Sequence, residues 1–175
     1  MRLSLNRLTG ALLGQFRPEV RITCSKDIWM AGVSELQQRT LCSRRESGAF
    51  LIGEAPKDGS AKVIREFVYY DDIDPHALDT GIVKFDGNKL PLLWEICRGR
   101  GYGVVADIHV HPRGFRQSKS DRADPVMPRA GHFAFILPNF AAGSVTPGGI
   151  GQYEYLGNGH WVDHSRSSTP FLQLR

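Results

Sequence analysis

The chain predicts a mixed α+β fold, a central mixed β-sheet flanked by helices, and three observations carry that reading. Short apolar or alternating runs bounded by Gly, Asp and Ser recur at 47–53, 102–111 and 132–137, as strands require. Longer segments at 28–42 and 90–98 space their apolar residues as amphipathic helices do. Several strands follow one another through short turns instead of alternating strictly with helices, which favours a layered α+β arrangement over a parallel α/β one.

The elements follow in order. Residues 20–24 alternate as a short strand, and Ser25 or Asp27 supplies the cap of the helix over 28–42. The glycine-bounded run 47–53 is a buried strand, the turn at 57–60 follows, and 61–70 is its hairpin partner. A further strand is predicted over 80–85, then a helix over 90–98 with Gly99 and Gly101 as stop signals. The strands 102–111 and 132–137 are separated by a polar loop, 113–130, and the strands 152–155 and 160–162 close around Gly157 and Gly159.

With 175 residues and 19.5 kDa, 1–175 makes one domain, and 1–19 stands apart as a candidate N-terminal arm, amphipathic or an edge strand. Its apolar run is too short and broken for a signal peptide. Hydrophobic residues at 41% and charged residues at 23% exclude disordered and fibrous classes. No stretch is apolar enough for a membrane span, and a net charge of +4 is too small to establish nucleic-acid binding. Cys24, Cys42 and Cys97 are odd in number and widely spaced; three buried, reduced thiols in a cytoplasmic protein is the expectation. Trp29, Trp94 and Trp161 are expected in the core or an interface.

The chemistry concentrates in Asp107-Ile-His109-Val-His111-Pro112 and Ser118-Lys-Ser-Asp121. Residues at i and i+2 of a strand project from one face, so His109 and His111 can reach the same ion. A catalytic zinc site uses three protein ligands from His, Asp and Glu with one position open for water, and the ion lowers the pKa of that water to about 7. His109, His111 and Asp121 supply that set. A carboxylate off the metal is then needed to carry a proton, and a hydroxyl to stabilise an oxyanion; Glu46 and Ser118 are the candidates, with Glu54 a rival base. The long loop holding the third ligand reads as an active-site loop. Asp107 shares the face of the two histidines, as a fourth ligand, as an acceptor orienting an imidazole, or as a structural carboxylate. His132, His160 and His164 are expected to be structural.

Glu46-Ser-Gly48-Ala-Phe-Leu-Ile-Gly53, His109-Val-His111-Pro112 and Ser118-Lys-Ser-Asp121 together resemble the signature of the JAB/MPN (JAMM) metalloproteases, over about residues 20–163. The resemblance implies the JAB/MPN (cytidine-deaminase-like) architecture and one zinc ion held by His109, His111 and Asp121. It implies Glu46 as general acid/base and Ser118 beside the tetrahedral intermediate. It further implies cleavage after the C-terminal glycine of a ubiquitin-like protein, in deconjugation or precursor maturation, as in bacterial members that accompany conjugation-pathway enzymes. The interval from His111 to Ser118 is one residue shorter than is usual in that family, which leaves Asp124 as the alternative third ligand. Two other readings are a catalytically inactive scaffold of the same fold that binds protein partners, and a small-molecule amidohydrolase, which the short chain disfavours. Arg113, Arg116, Lys119, Arg122 and Arg129 make the 113–129 loop basic, suited to an acidic partner surface or the tail of a modifier.

Overall fold

The computed structural model describes residues 21–143, 145–166 and 171–175. The arm expected over 1–19 lies outside them. The described residues form an α+β structure around one eight-stranded mixed sheet. The strands are β1 (Ile22–Cys24), β2 (Gly48–Glu54), β3 (Lys62–Tyr69), β4 (Gly103–Val110), β5 (His132–Leu137), β6 (Gly151–Gly157), β7 (His160–Asp163) and β8 (Leu172–Leu174). Their order across the sheet is β7-β6-β5-β4-β2-β3-β1-β8. β2 runs antiparallel to both β3 and β4, whereas β4 and β5 are parallel.

Two longer helices cover the two faces. α1 (Lys26–Arg39) starts where the Ser25 hydroxyl accepts from the Ile28 N–H at 3.2 Å, with Asp27 in the first turn and Arg39 in the last, charges that complement the helix dipole. It buries Trp29, Val33 and Leu36 against Ala49, Leu51, Ile108 and Val110. On the opposite face α3 (Leu90–Arg100) buries Leu93 and Cys97 in a second cluster with Phe50, Ile52, Val68 and Tyr70. Burying each such large apolar side chain contributes about 1.5–3 kcal/mol. Two short helices, α2 (Tyr70–Ile73) and α4 (Lys119–Ala123), complete the set.

Alternation along β4 sorts its side chains. Ile108 and Val110 enter the α1 cluster. Asp107, two residues before His109, lies on the other face, where the Tyr70 hydroxyl of the α3 cluster reaches it. The register Gly48↔His109 and Gly53↔Gly103 brings the start of β2 beside the histidine end of β4. Gly48 is required there, because a Cβ at that position would press into the Tyr70 ring.

Several expectations need correction. The segment 80–85 is not a strand. Its backbone is engaged by loops and a side chain instead of a neighbouring strand: Lys84 N–H donates to Ala77 O and Val83 N–H to the Glu46 carboxylate, while Gly81 O accepts from Glu46 N–H. Its alternation reflects Val83 and Phe85 packing on the α3 cluster. α1 ends at Arg39 and not Cys42, since Leu41, Cys42 and Ser43 are all left-handed; Cys42 is consequently exposed, whereas Cys24 and Cys97 are buried. Gly99 lies within α3, and Gly101, with φ 70°, is the cap. The loop 113–130 contains α4. Strand β8 was not anticipated. Trp29 is core, but Trp94 is exposed. No helix among the described residues is long and apolar enough to cross a membrane.

Candidate metal centre

His109 is the penultimate residue of β4, and His111 follows the strand's end. Both are held from the backbone: Val110 N–H donates to Ser47 O, and His111 N–H to Leu137 O at the end of the parallel neighbour β5. The two side chains are buried, and their Nε2 atoms stand 3.0 Å apart. Asp121 arrives from α4, with Oδ1 3.7 Å from His109 Nε2 and Oδ2 3.3 Å from His111 Nε2. Ligand atoms around a tetrahedral zinc at about 2.0–2.1 Å are separated by about 3.3–3.4 Å. The imidazole nitrogens and the carboxylate oxygens facing them, a different Asp121 oxygen for each histidine, stand near that spacing, and the group could hold a metal ion.

Electrostatics agree with the geometry. Burial opposes a charge on His109, but Asp121, with the charges of Asp107 and Glu46, outweighs it and raises the imidazole's pKa above its usual 6.5. Burial likewise acts to raise Asp121, yet His109, His111 and the Ser118 N–H hold the carboxyl well below its ordinary range. An ionised carboxylate beside two imidazoles is a donor set that could hold a cation.

The remaining expected residues are placed as follows. Ser118 is the N-cap of α4: its hydroxyl accepts from Asp121 N–H at 3.1 Å, and Asp121 Oδ2 accepts from Ser118 N–H at 2.6 Å. Glu46 lies two residues before β2 at the histidine end, half-buried, with Oε2 3.3 Å from Val83 N. Glu54, the rival base, is at the far end of β2 and paired with Arg65 at 2.8 Å, away from the histidines. Asp124 caps the C-terminal end of α4 and is not among the grouped ligand atoms. Asp107 is not among them either. It accepts from Tyr70 Oη at 3.2 Å and from His132 Nε2 at 2.5 Å, all three residues being buried. Burial and the adjacent Asp107 push the Tyr70 hydroxyl far above its usual pKa, so it stays a donor. His160 is exposed, and His164 faces Glu154 at 3.3 Å.

Two cavities open on the triangle. His109 and Asp121 line a cleft of about 880 Å³ whose walls include Asp74, Val83, Phe85, Lys84 and Trp161. His111 lines a second cavity of about 490 Å³ together with Arg113, Arg116 and Arg166. These wall residues come from segments far apart in the chain, and sequence reasoning had no spacing by which to find most of them; the arginines at 113 and 116 were visible as charge in the loop.

No family model matches the chain. A protein from Desulfitobacterium hafniense, solved in solution, is similar in structure, with a TM-score of 0.62 and 13% identity over 88% of this chain and 92% of that one. A second solution structure, of a protein from Salinibacter ruber, gives a TM-score of 0.53 and 15% identity over 81% of this chain and 87% of that one. At these identities the likeness is one of fold.

Proposed function

We propose that this protein is a zinc-dependent protease or isopeptidase of the JAB/MPN (JAMM) type, with that family's architecture, acting in the cytoplasm on a ubiquitin-like protein or its conjugate. The observation that carries the reading is the grouping of His109 Nε2, His111 Nε2 and the Asp121 carboxylate, with Nε2–Nε2 3.0 Å and N–O distances of 3.7 and 3.3 Å, and with Glu46 at the same end of the sheet.

A zinc ion held there supplies Lewis-acid polarisation of the scissile carbonyl and a water acidified to a pKa of about 7. The chain's own residues supply the rest. Glu46 stands just ahead of β2 at the histidine end of the sheet, and its carboxylate takes the proton of the attacking water and returns it to the leaving amine. The Ser118 hydroxyl accepts from Asp121 N–H, which leaves its own O–H free to donate toward the oxygen of the tetrahedral intermediate. The cleft of about 880 Å³ beside His109 and Asp121 takes the extended glycine-terminated tail.

The test is a linear fusion of a ubiquitin-like protein through its C-terminal glycine to a reporter, incubated with the zinc-loaded protein. Cleavage after the glycine is expected, stopped by chelation and restored by zinc. In Glu46→Gln the metal should remain while the rate falls by about 100-fold or more. An intact fusion, handled alike by both forms, would overturn the proposal.

A further inference from the structure

The cavity on the His111 side has a chemistry of its own. Arg113, Arg116 and Arg166 line it, the first two from the segment after β4 and the third from beyond β7. Among the described residues none of the three forms an ion pair, as Arg44, Arg98, Arg122 and Arg129 also do not, whereas Arg21, Arg39, Arg45, Arg65 and Arg100 do. Three guanidinium groups around one concavity repel one another, and an anion seated among them removes that repulsion.

The arginine segment is held, which makes the cavity a built one. Asn139 N–H donates to Arg113 O at 2.8 Å, and Tyr153 Oη donates to Phe115 O at 3.0 Å while accepting from Gln117 N–H at 3.4 Å. The chain at Phe115 packs so closely on β6 that a Cβ on Gly151 would collide with the Phe115 carbonyl. The guanidinium groups are therefore presented from an anchored backbone, which lowers the ordering cost of binding. In the adjoining cavity of about 420 Å³, Arg116 and Arg166 also meet Arg122, with Asp163 offsetting part of the charge.

We infer that this cavity is a subsite for Asp and Glu side chains of a polypeptide that reaches the metal centre from the His111 side. A guanidinium fork matches a carboxylate with two parallel hydrogen bonds. A peptide is favoured over a nucleic acid because three or four arginines on a chain of net charge +4 neutralise too few phosphates for a strand, and because His111 is part of the cavity's lining. In terms of the hydrolase reading, on which the substrate assignment rests, the cleft beside His109 and Asp121 holds one side of the scissile bond and the arginine cavity selects acidic residues on the other.

The experiment measures binding and cleavage separately on the zinc-loaded protein. A fluorescent hexapeptide of alternating Glu and Gly, its Gln counterpart and a single-stranded hexanucleotide are titrated by anisotropy at low and at physiological salt. The Glu peptide is expected to bind, weakening with salt, and to lose about tenfold or more in affinity in Arg113→Gln/Arg166→Gln, with zinc content and circular dichroism unchanged. The Gln peptide should not bind measurably. Equal binding of both peptides, indifference to the arginine substitutions, or tighter binding of the oligonucleotide would overturn the inference. Fusions carrying Glu or Gln after the scissile glycine then separate the two readings. Arginine-dependent binding without any cleavage leaves the subsite standing and removes the hydrolase, and cleavage indifferent to Glu leaves the hydrolase and removes the subsite.

Discussion

Ser118 and Asp121 hold each other in a reciprocal cap, Ser118 Oγ accepting from the Asp121 amide and Asp121 Oδ2 from the Ser118 amide. The same carboxylate faces both imidazoles, at 3.7 and 3.3 Å. The motif Ser-x-x-Asp thus aims a ligand by closing the first turn of a five-residue helix, a segment too short to be stable without its cap.

Removal of that hydroxyl should loosen the ligand. Ser118→Ala is expected to cost about 1 kcal/mol of local helix stability and to weaken zinc binding by about 10-fold, the low end for a lost orienting partner. Competition with a chromophoric chelator measures this, and Ser118→Thr should restore most of the affinity. Unchanged zinc affinity in Ser118→Ala would show that the cap does not position Asp121.

The choice of third ligand is equally open to test. Asp121→Asn, His109→Ala and His111→Ala should each abolish stoichiometric zinc by elemental analysis, because three ligands are the minimum for a retained catalytic ion. Asp124→Asn should retain one zinc per chain, since Asp124 stands outside the ligand triangle.

Asp107 carries a structural load on the buried side. Its removal in Asp107→Ala leaves the Tyr70 hydroxyl and the His132 Nε2–H without their acceptor. Each stranded buried donor costs about 1–3 kcal/mol. Denaturant unfolding should show a loss of that order for the pair, while Tyr70→Phe, which removes one donor with its shape preserved, should lose less.

The pH dependence changes sign with the metal. In the metal-free protein the raised pKa of His109 gives stability that is fully present below 6.5 and lost as pH rises through the higher folded value. The depressed Asp121 contributes above 3.8 and is lost as pH falls through its lower folded value. The thermal midpoint without metal should therefore be greatest between these limits and decline above neutrality. With zinc the trend reverses, because the ion competes with the His109 proton, and the zinc-induced rise in midpoint should grow as pH increases.

Much of the fold was legible because periodicity reports burial on one face. The strands around Leu51, Ile108 and Phe135 and the helix around Leu36 followed from it. The segment at Val83 and Phe85 misled, since a loop packed on a core alternates as a strand does. His109 and His111 were legible through their spacing of two, and Asp121 through the Ser-x-x-Asp pattern, whose capping role only the structure reveals. Glu46 was preferred to Glu54 through the resemblance, and the register Gly48↔His109 puts it at the histidine end of the sheet, a tertiary fact. Arg166 could not be joined to Arg113 and Arg116, because the chain between them carries β5, β6 and β7.

Anomalous diffraction at the zinc edge, from crystals of the zinc-loaded protein, tests the central claim most directly. One peak is predicted, about 2.0–2.2 Å from His109 Nε2, His111 Nε2 and an Asp121 oxygen. No peak there, with the two imidazoles still sharing a hydrogen bond, or a peak ligated by other residues, would contradict it.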